Sequence, residues 1–152
     1  RMIVMSNVDL AKDFCEALGR GDVETASRYI TDDFVVTGPT PQPLGKAEFL
    51  GLHAILAQAF PDFNFNISQA VESSDKVELT IQISGTQTGV LDLTPTGMPI
   101  PPVSPTGNPI RLAVEHPVLT MRGGKFSSLN LPVVPGGGLP SILSQLGLEV
   151  PH

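Results

Sequence analysis

The chain has 152 residues and a formal net charge of −6, with nine lysines and arginines against 15 aspartates and glutamates. This length fits a single domain, residues 1–152, that can bury roughly two thirds of its unfolded surface. The basic residues form no run and no helix face, which argues against a nucleic-acid partner. The acidity, and the lack of an apolar run of about 18 residues, argue against a membrane partner.

Cys15 is the only cysteine, so neither a disulfide framework nor a cluster of thiolate metal ligands is available. The leading residues, RMIVMSN, lack the length and cleavage pattern of a signal peptide, and we expect a cytoplasmic protein. His53, His116 and His152 share no metal-ligand spacing, and no phosphate-binding loop is present. We therefore expect neither a metal nor a cofactor.

Three segments in the first 60 residues have helical periodicity. SNVDLAKDFCEALGRGD predicts a helix with its N-cap at Ser6 or Asn7 and a left-handed stop at Gly19. Asp22 is placed to cap a short second helix. The third helix lies in LGKAEFLGLHAILAQAFPD, before Pro61, and its apolar stripe comprises Phe49, Leu52 or His53, Leu56 and Phe60.

The remaining segments predict mainly strands. FVVTGP is a short β-rich run, and FNFNISQAV and DKVELTIQISGTQTG alternate apolar and polar residues, which predicts two half-buried strands joined by a turn at residues 73–75. IRLAVEHPVLTMR and KFSSLNLPVV predict a hairpin around Gly123 and Gly124, and PGGG leads into a last helix, LPSILSQLG. Helices followed by consecutive strands indicate an α+β fold with the helices against one sheet face.

Six motifs occur in a fixed order between Val8 and Pro151: ALGRGDVETASRYITDDFVV, AFPDFNF, GTQTG, PTGNPI, RGGKFSSL and LSQLGLEVP. Together they resemble the SnoaL-like polyketide cyclase family, within the nuclear transport factor 2-like superfamily. The resemblance implies a cone-shaped α+β fold, in which N-terminal helices pack on a strongly bent, mostly antiparallel sheet around an internal apolar pocket, with a short C-terminal helix. It also implies a homodimer that pairs through the sheet.

Two departures from the family pattern affect the chemistry. GTQTG has Gln87 where the family usually has His, and the last-strand Asp that serves the cyclases as general acid or base falls near Leu131. An apolar side chain cannot transfer a proton. Two functions stay open: an enzyme that isomerises, cyclises or hydrolyses a small hydrophobic carbonyl-type metabolite by cofactor-free acid–base chemistry, or a non-catalytic protein of the same fold that binds a ligand or a partner.

Titratable groups on apolar elements are the candidates for acid–base chemistry, because burial shifts their pKa. Glu115 and His116 interrupt the apolar run IRLAVEHPVLTM and are the predicted catalytic residues. Neighbouring strand residues face opposite sides, so only one of them can enter the pocket unless Pro117 marks a bulge. The alternative is that one lies in a dimer interface and the other is a hydrogen-bonded core group.

The predicted ligand-binding residues lie on several elements: His53, Gln87, Leu129, Leu131, Met98 and Ile100. For His53, a hydrogen-bonded position in the core is the alternative. The polar row of Glu78, Thr80 and Gln82 is either a solvent or dimer surface or a lining of the pocket.

The stretch TPTGMPIPPVSPTGNP holds six of the 15 prolines and repeats PTG. The second copy matches the family's turn before the next strand, so the segment from about Val90 to Ser104 is an insertion, the proline-rich loop. Proline fixes φ and removes N–H donors, which predicts a stiff, extended loop outside the sheet. We expect its apolar residues to form a flap over the pocket mouth or a dimer partner: Leu91, Leu93, Met98, Ile100 and Val103.

Overall fold

The computed structural model describes residues 6–38 and 42–148. The helices of this part of the chain are α1 Asn7–Gly19, α2 Val23–Ser27, α3 Lys46–Ala59 and α4 Gly138–Gln145, with a 3-10 turn at Thr94–Thr96. The strands are β1 Ile30–Thr37, β2 Leu44–Gly45, β3 Gln69–Ser73, β4 Lys76–Thr80, β5 Ser84–Thr86, β6 Pro109–Arg111, β7 Val118–Arg122 and β8 Lys125–Asn130. None of these helices is both long enough and apolar enough to cross a membrane.

A six-stranded sheet has the order β2-β1-β8-β7-β4-β3, and β5 and β6 form a separate antiparallel pair. All pairs are antiparallel except β1 and β8, which run parallel. Isolated backbone contacts continue the pairing between the two sheets, including the Ile81–Glu115 bridge. The chain therefore forms one long, bent hairpin over residues 76–122, and the predicted α+β class with a bent, mostly antiparallel sheet is confirmed.

The predicted helix starts are confirmed, and one predicted stop is wrong. The Ser6 side chain accepts a hydrogen bond from the Asp9 backbone N–H at 3.1 Å, and Asp22 accepts one from Thr25 at 3.2 Å. The left-handed residue after α1 is Gly21, with φ of +75°, and not Gly19. Arg20 still has right-handed helical geometry at the C-cap, so the left-handed residue lies two positions later than the sequence suggested.

The predicted strand over FNFNISQAV is wrong in its first half. Regular pairing starts only at Gln69, and before it Asn64 alone pairs with Ser84. Asn66 adopts a positive φ of +48°, and its side-chain amide donates to the Gln82 carbonyl at 2.9 Å. This left-handed residue interrupts the ladder, and an asparagine tolerates the conformation better than most residues.

Two hydrophobic clusters fill the interior. The first cluster joins α1, α2, the first part of α3 and the six-stranded sheet, and its aromatic centre is Phe14, Phe34, Phe49 and Phe126. The second cluster joins the end of α3, the proline-rich loop, β6 and α4, and it includes Leu56, Phe60, Leu91, Leu93, Ile100, Leu112, Ile142 and Leu143. The loop therefore supplies core side chains, and Leu91, Leu93 and Ile100 are buried there instead of forming an outer flap.

Candidate functional site

A cavity of about 980 Å³ lies between α3, the bent sheet, the proline-rich loop and the segment that leads into α4. Both clusters contribute apolar side chains to its lining, and few polar groups reach it. Such a volume is at the upper end of the range for small-molecule sites, which are concave and mostly apolar with a few placed polar groups. The polar side chains that line it are therefore the candidates for chemistry, and Glu115 and His53 are the two that lie deepest.

Glu115 enters the cavity because the alternation of the strand shifts by one residue. Ile110 and Leu112 are buried, and a regular strand would next point Val114 and His116 inward. Instead Val114 is 45% exposed, and the buried positions resume at Glu115. Glu115 exchanges two backbone hydrogen bonds with Ile81, at 2.9 and 3.0 Å, which fixes it where the long hairpin bends. The irregularity therefore lies between Leu112 and Glu115, a few residues before Pro117, where the sequence allowed for a bulge.

The Glu115 carboxyl group is 7% exposed, and its Oε2 atom has no hydrogen-bond partner among the described residues. Burial raises its pKa above the ordinary value, and the backbone N–H of Gly138, at the start of α4, offsets part of that rise. The carboxyl packs directly on the chain before α4, since a Cβ on Gly137 would lie 2.9 Å from Glu115 Oε1. One oxygen is thus held against backbone, while the other has no hydrogen-bond partner within residues 6–38 and 42–148.

His53 lies on the buried face of α3 and lines the same cavity. Its ring is surrounded by Phe49, Phe63 and Phe65, with ring centroids 4.7, 6.0 and 5.7 Å away. Burial lowers the pKa of the imidazole to about 4, so the ring is neutral at neutral pH. Its Nδ1 atom is buried without a partner among the described residues, contrary to the alternative of a hydrogen-bonded core position.

His116 does not join Glu115. Its ring is exposed on the opposite face, where Nδ1 lies 3.3 Å from the Thr80 hydroxyl. Its prediction as a pocket residue is wrong for the physical reason already given for the pair: adjacent strand residues face opposite sides. Glu78, Thr80 and Gln82 likewise stay outside the cavity lining.

The other predicted ligand-binding residues divide into two groups. Leu129, Leu131 and Met98 line the cavity. Gln87 and Ile100 do not, because Gln87 is fully buried among the carbonyl groups of the loop ends and Ile100 packs in the second cluster. His152 lies outside the described residues.

Sequence reasoning missed several lining residues. Phe63 and Phe65 both face the cavity because residues two apart on an extended segment share a face, and the two rings meet edge to face at 5.1 Å. Pro95 and Thr96 of the loop and the backbone at Gly137 also line it. The PGGG motif was the available signal for the last of these, since glycine allows the backbone to approach a side chain closely.

The model of the SnoaL-like domain matches residues 11–129. The chain belongs to the SnoaL-like domain family. A search of curated proteins finds no match for this family member.

Solved structures of similar fold extend over almost the whole SnoaL-like chain. AclR from Streptomyces galilaeus, a candidate hydroxylase, is 20% identical with a TM-score of 0.69, over 91% of this chain and 92% of that chain. IdmH from Streptomyces antibioticus, a candidate polyketide cyclase, is 22% identical with a TM-score of 0.67, over 92% and 97%. A Catenulispora acidiphila protein with a ketosteroid isomerase-like fold, in complex with trimethylamine, is 16% identical with a TM-score of 0.65, over 94% and 95%. At these identities the likeness establishes the fold.

Proposed function

We propose that the cavity binds a small hydrophobic carbonyl compound and that Glu115 transfers a proton to or from it without a cofactor. The observation that carries the proposal is the Glu115 carboxyl group, buried in an apolar cavity with Oε2 free of any partner among the described residues. A buried acceptor without a partner costs free energy, and a bound ligand that donates to it would recover that cost. Such a group is a natural contact for a ligand.

The chemistry that this arrangement supports is proton abstraction next to a carbonyl. The Glu115 carboxylate takes the proton, the electron pair of the C–H bond moves toward the carbonyl, and an enolate forms. A raised pKa makes the Glu115 carboxylate a stronger base than an ordinary glutamate. Neutral His53, which lines the same cavity, is suited to donate a hydrogen bond from its protonated ring nitrogen to the carbonyl oxygen as the charge on that oxygen grows.

Proton transfer of this kind is common to isomerisation, aldol-type cyclisation and related reactions, so the substrate's own structure decides the product. The family and the names of its structural relatives, a candidate cyclase and a candidate hydroxylase, support this range of chemistry. Glu115 replaces, at a different position, the acid that Leu131 cannot supply. The predicted homodimer and the cytoplasmic location stay predictions.

The second candidate function is ligand binding without catalysis. It is favoured by Leu131, which lines the cavity near the position where the family usually places its carboxylate, and by Gln87, whose polar atoms are all committed to the loop ends. In this case Glu115 serves only to accept a hydrogen bond from the ligand.

Deuterium exchange distinguishes the two functions without knowledge of the natural substrate. α-Tetralone is incubated with the protein in D2O, and loss of the proton signal next to its carbonyl is followed by NMR. We expect the wild type to accelerate the exchange and Glu115→Gln to reduce the accelerated rate by a factor of about 10²–10⁴. His116→Asn is the matched control and should behave as the wild type, because its ring is outside the cavity.

Binding is measured separately with prodan, a neutral fluorescent naphthyl ketone whose emission reports an apolar environment. If prodan binds but the deuterium exchange of tetralone is no faster than in buffer alone, the non-catalytic function is supported. The absence of prodan and tetralone binding to the wild type would refute the proposed ligand class.

A further inference from the structure

The proline-rich loop, residues 90–104, is closed at its base by backbone pairing. The Leu91 N–H donates to the Val103 carbonyl at 3.0 Å, and the Val103 N–H donates to the Leu91 carbonyl at 2.8 Å. Leu91 and Leu93 are almost completely buried in the second cluster. A loop with a paired base and buried side chains cannot swing as a flap without opening part of the core.

Gln87 holds both ends of this loop. Its side chain is fully buried, and Nε2 donates toward the carbonyls of Gly89, Val103 and Ser104, each at 3.2 Å. Its Oε1 accepts from the backbone N–H of Thr106 at 3.2 Å and from the Thr106 hydroxyl at 2.8 Å. One amide therefore satisfies backbone groups on the chain that enters the loop and on the chain that leaves it. A polar network of this kind fixes one conformation.

The start of the loop is also attached to α3. The Gly89 N–H donates to the Ala59 carbonyl at 3.0 Å. A Cβ at residue 89 would lie 2.1 Å from the Gln58 carbonyl oxygen, so only glycine allows this approach. The loop is thereby fixed to the helix that carries His53.

The two copies of PTG, one within the loop and one just after it, share two local features. In each copy the glycine has a positive φ, +83° at Gly97 and +70° at Gly107. In each copy the threonine hydroxyl accepts from the backbone N–H two residues on, Thr96 from Met98 and Thr106 from Asn108. The second copy contacts Gln87, while the first presents Pro95, Thr96 and Met98 to the cavity.

We propose that Gln87 fixes the proline-rich loop as a rigid wall of the cavity, and that Met98 on this wall limits the size of the ligand. Gln87 acts as a positioning residue and does not itself contact the ligand. The part of the proposal that concerns Met98 rests on the proposed function, because it needs a ligand in the cavity.

The size limit is tested with neutral aryl ketones of increasing length: acetophenone, acetonaphthone and prodan. Their affinities for the wild type and Met98→Ala are measured by prodan fluorescence and by its displacement. We expect Met98→Ala to raise the affinity for prodan about tenfold, because more of the ligand's apolar area is buried, and to change that for acetophenone less than about twofold. Met121→Ala is the matched control, since Met121 is half-buried on β7 outside the cavity lining.

An unchanged ratio of prodan to acetophenone affinity in Met98→Ala, or an equal gain in Met121→Ala, would overturn the size limit. If the wild type binds none of the ketones, the proposed function fails, and the size limit fails with it.

The role of Gln87 is tested without any ligand, by amide hydrogen exchange of residues 91–104. We expect Gln87→Leu to raise exchange in this segment by about tenfold or more while β8 keeps its protection. Thr106→Val, a change at an exposed side chain, should give a smaller rise in the same segment and decides the matter if Gln87→Leu does not fold. Unchanged exchange in a folded variant would show that Gln87 does not fix the loop, whatever the ketones do. Where ketones bind, the Gln87 variant should also reduce the size discrimination that Met98 provides.

Discussion

The two hydrophobic clusters are built from different kinds of chain. The first cluster is formed by α1, α2, the first part of α3 and the six-stranded sheet, and Phe126, at its centre, is fully buried. The second takes much of its apolar area from irregular chain, including Leu91 and Leu93 of the proline-rich loop. The first resembles the core of any α+β domain. Both clusters line the cavity, but the second depends on polar anchors such as Gln87 to keep its loop side chains in place.

This difference concerns how each cluster is held in place. Regular elements can bury large rings without extra support, because a helix satisfies its backbone groups internally and a strand satisfies them by pairing with its neighbours in the sheet. A loop that enters a core needs side chains to satisfy its backbone, and the position of each such side chain also shapes the cavity. We therefore expect changes at first-cluster residues outside the cavity lining to affect the free energy of unfolding alone, and changes to the loop anchors of the second cluster to affect ligand choice as well.

Phe126→Ala should have the largest effect on stability. Loss of this buried ring should lower the free energy of unfolding by about 3–5 kcal/mol, measured by urea denaturation at neutral pH. Phe126 does not line the cavity, so prodan affinity of the folded variant should stay within about twofold of the wild type. Val71→Ala, at a half-exposed β3 position, is the control and should change stability by about 0.5 kcal/mol or less.

If Phe126→Ala leaves too little folded protein, Phe126→Leu gives the same comparison at a smaller cost. Weakened prodan binding in either folded variant would show that the two clusters do not act separately.

His53 lies where the two clusters meet, and it should make stability depend on pH. Its pKa falls from 6.5 to about 4 on folding, so unfolding takes up a proton between these values. The stabilisation associated with the neutral imidazole is therefore complete above pH 6.5 and is lost as the pH falls to about 4. The loss amounts to roughly 3 kcal/mol of the free energy of unfolding.

The measurement is urea denaturation at several pH values between 4 and 7 for the wild type and His53→Leu. As the pH falls, the wild type should lose roughly 3 kcal/mol more of its unfolding free energy than the His53→Leu variant. His116→Asn, on the outer face, is the control and should follow the wild type. Parallel curves for the wild type and His53→Leu would contradict the buried, neutral imidazole.

Gln145→Ala should have the smallest effect on the free energy of unfolding, and the effect should be limited to the second cluster. The Gln145 side chain accepts from the Arg111 N–H at 2.8 Å and donates to the Arg111 carbonyl at 2.9 Å, which attaches α4 to β6. Loss of both bonds should cost about 1–2 kcal/mol. Amide exchange should rise in α4 and not in β8. Equal exchange of α4 in variant and wild type would show that apolar packing alone holds the helix.

The sequence allowed the family, the α+β class and the helices to be predicted, because these follow from periodicity and ordered motifs. It identified Glu115 and His116 but could not choose between them. The choice depends on the shift between Leu112 and Glu115, which follows from how residues 81–83 pair and where the hairpin bends. The role of Gln87 was likewise hidden, since its partners are backbone groups 16 and 17 residues away.

The pH dependence of deuterium exchange in tetralone tests the central claim, that Glu115 is the proton-transferring group of the cavity. The rate for bound ketone should rise with pH to a plateau, with a midpoint above the ordinary glutamate value of 4.5, because only the carboxylate accepts the proton. Glu115→Gln should abolish the rise, and His116→Asn should leave the midpoint unchanged. A rate that does not vary with pH, or a rise that persists in Glu115→Gln, would contradict the account.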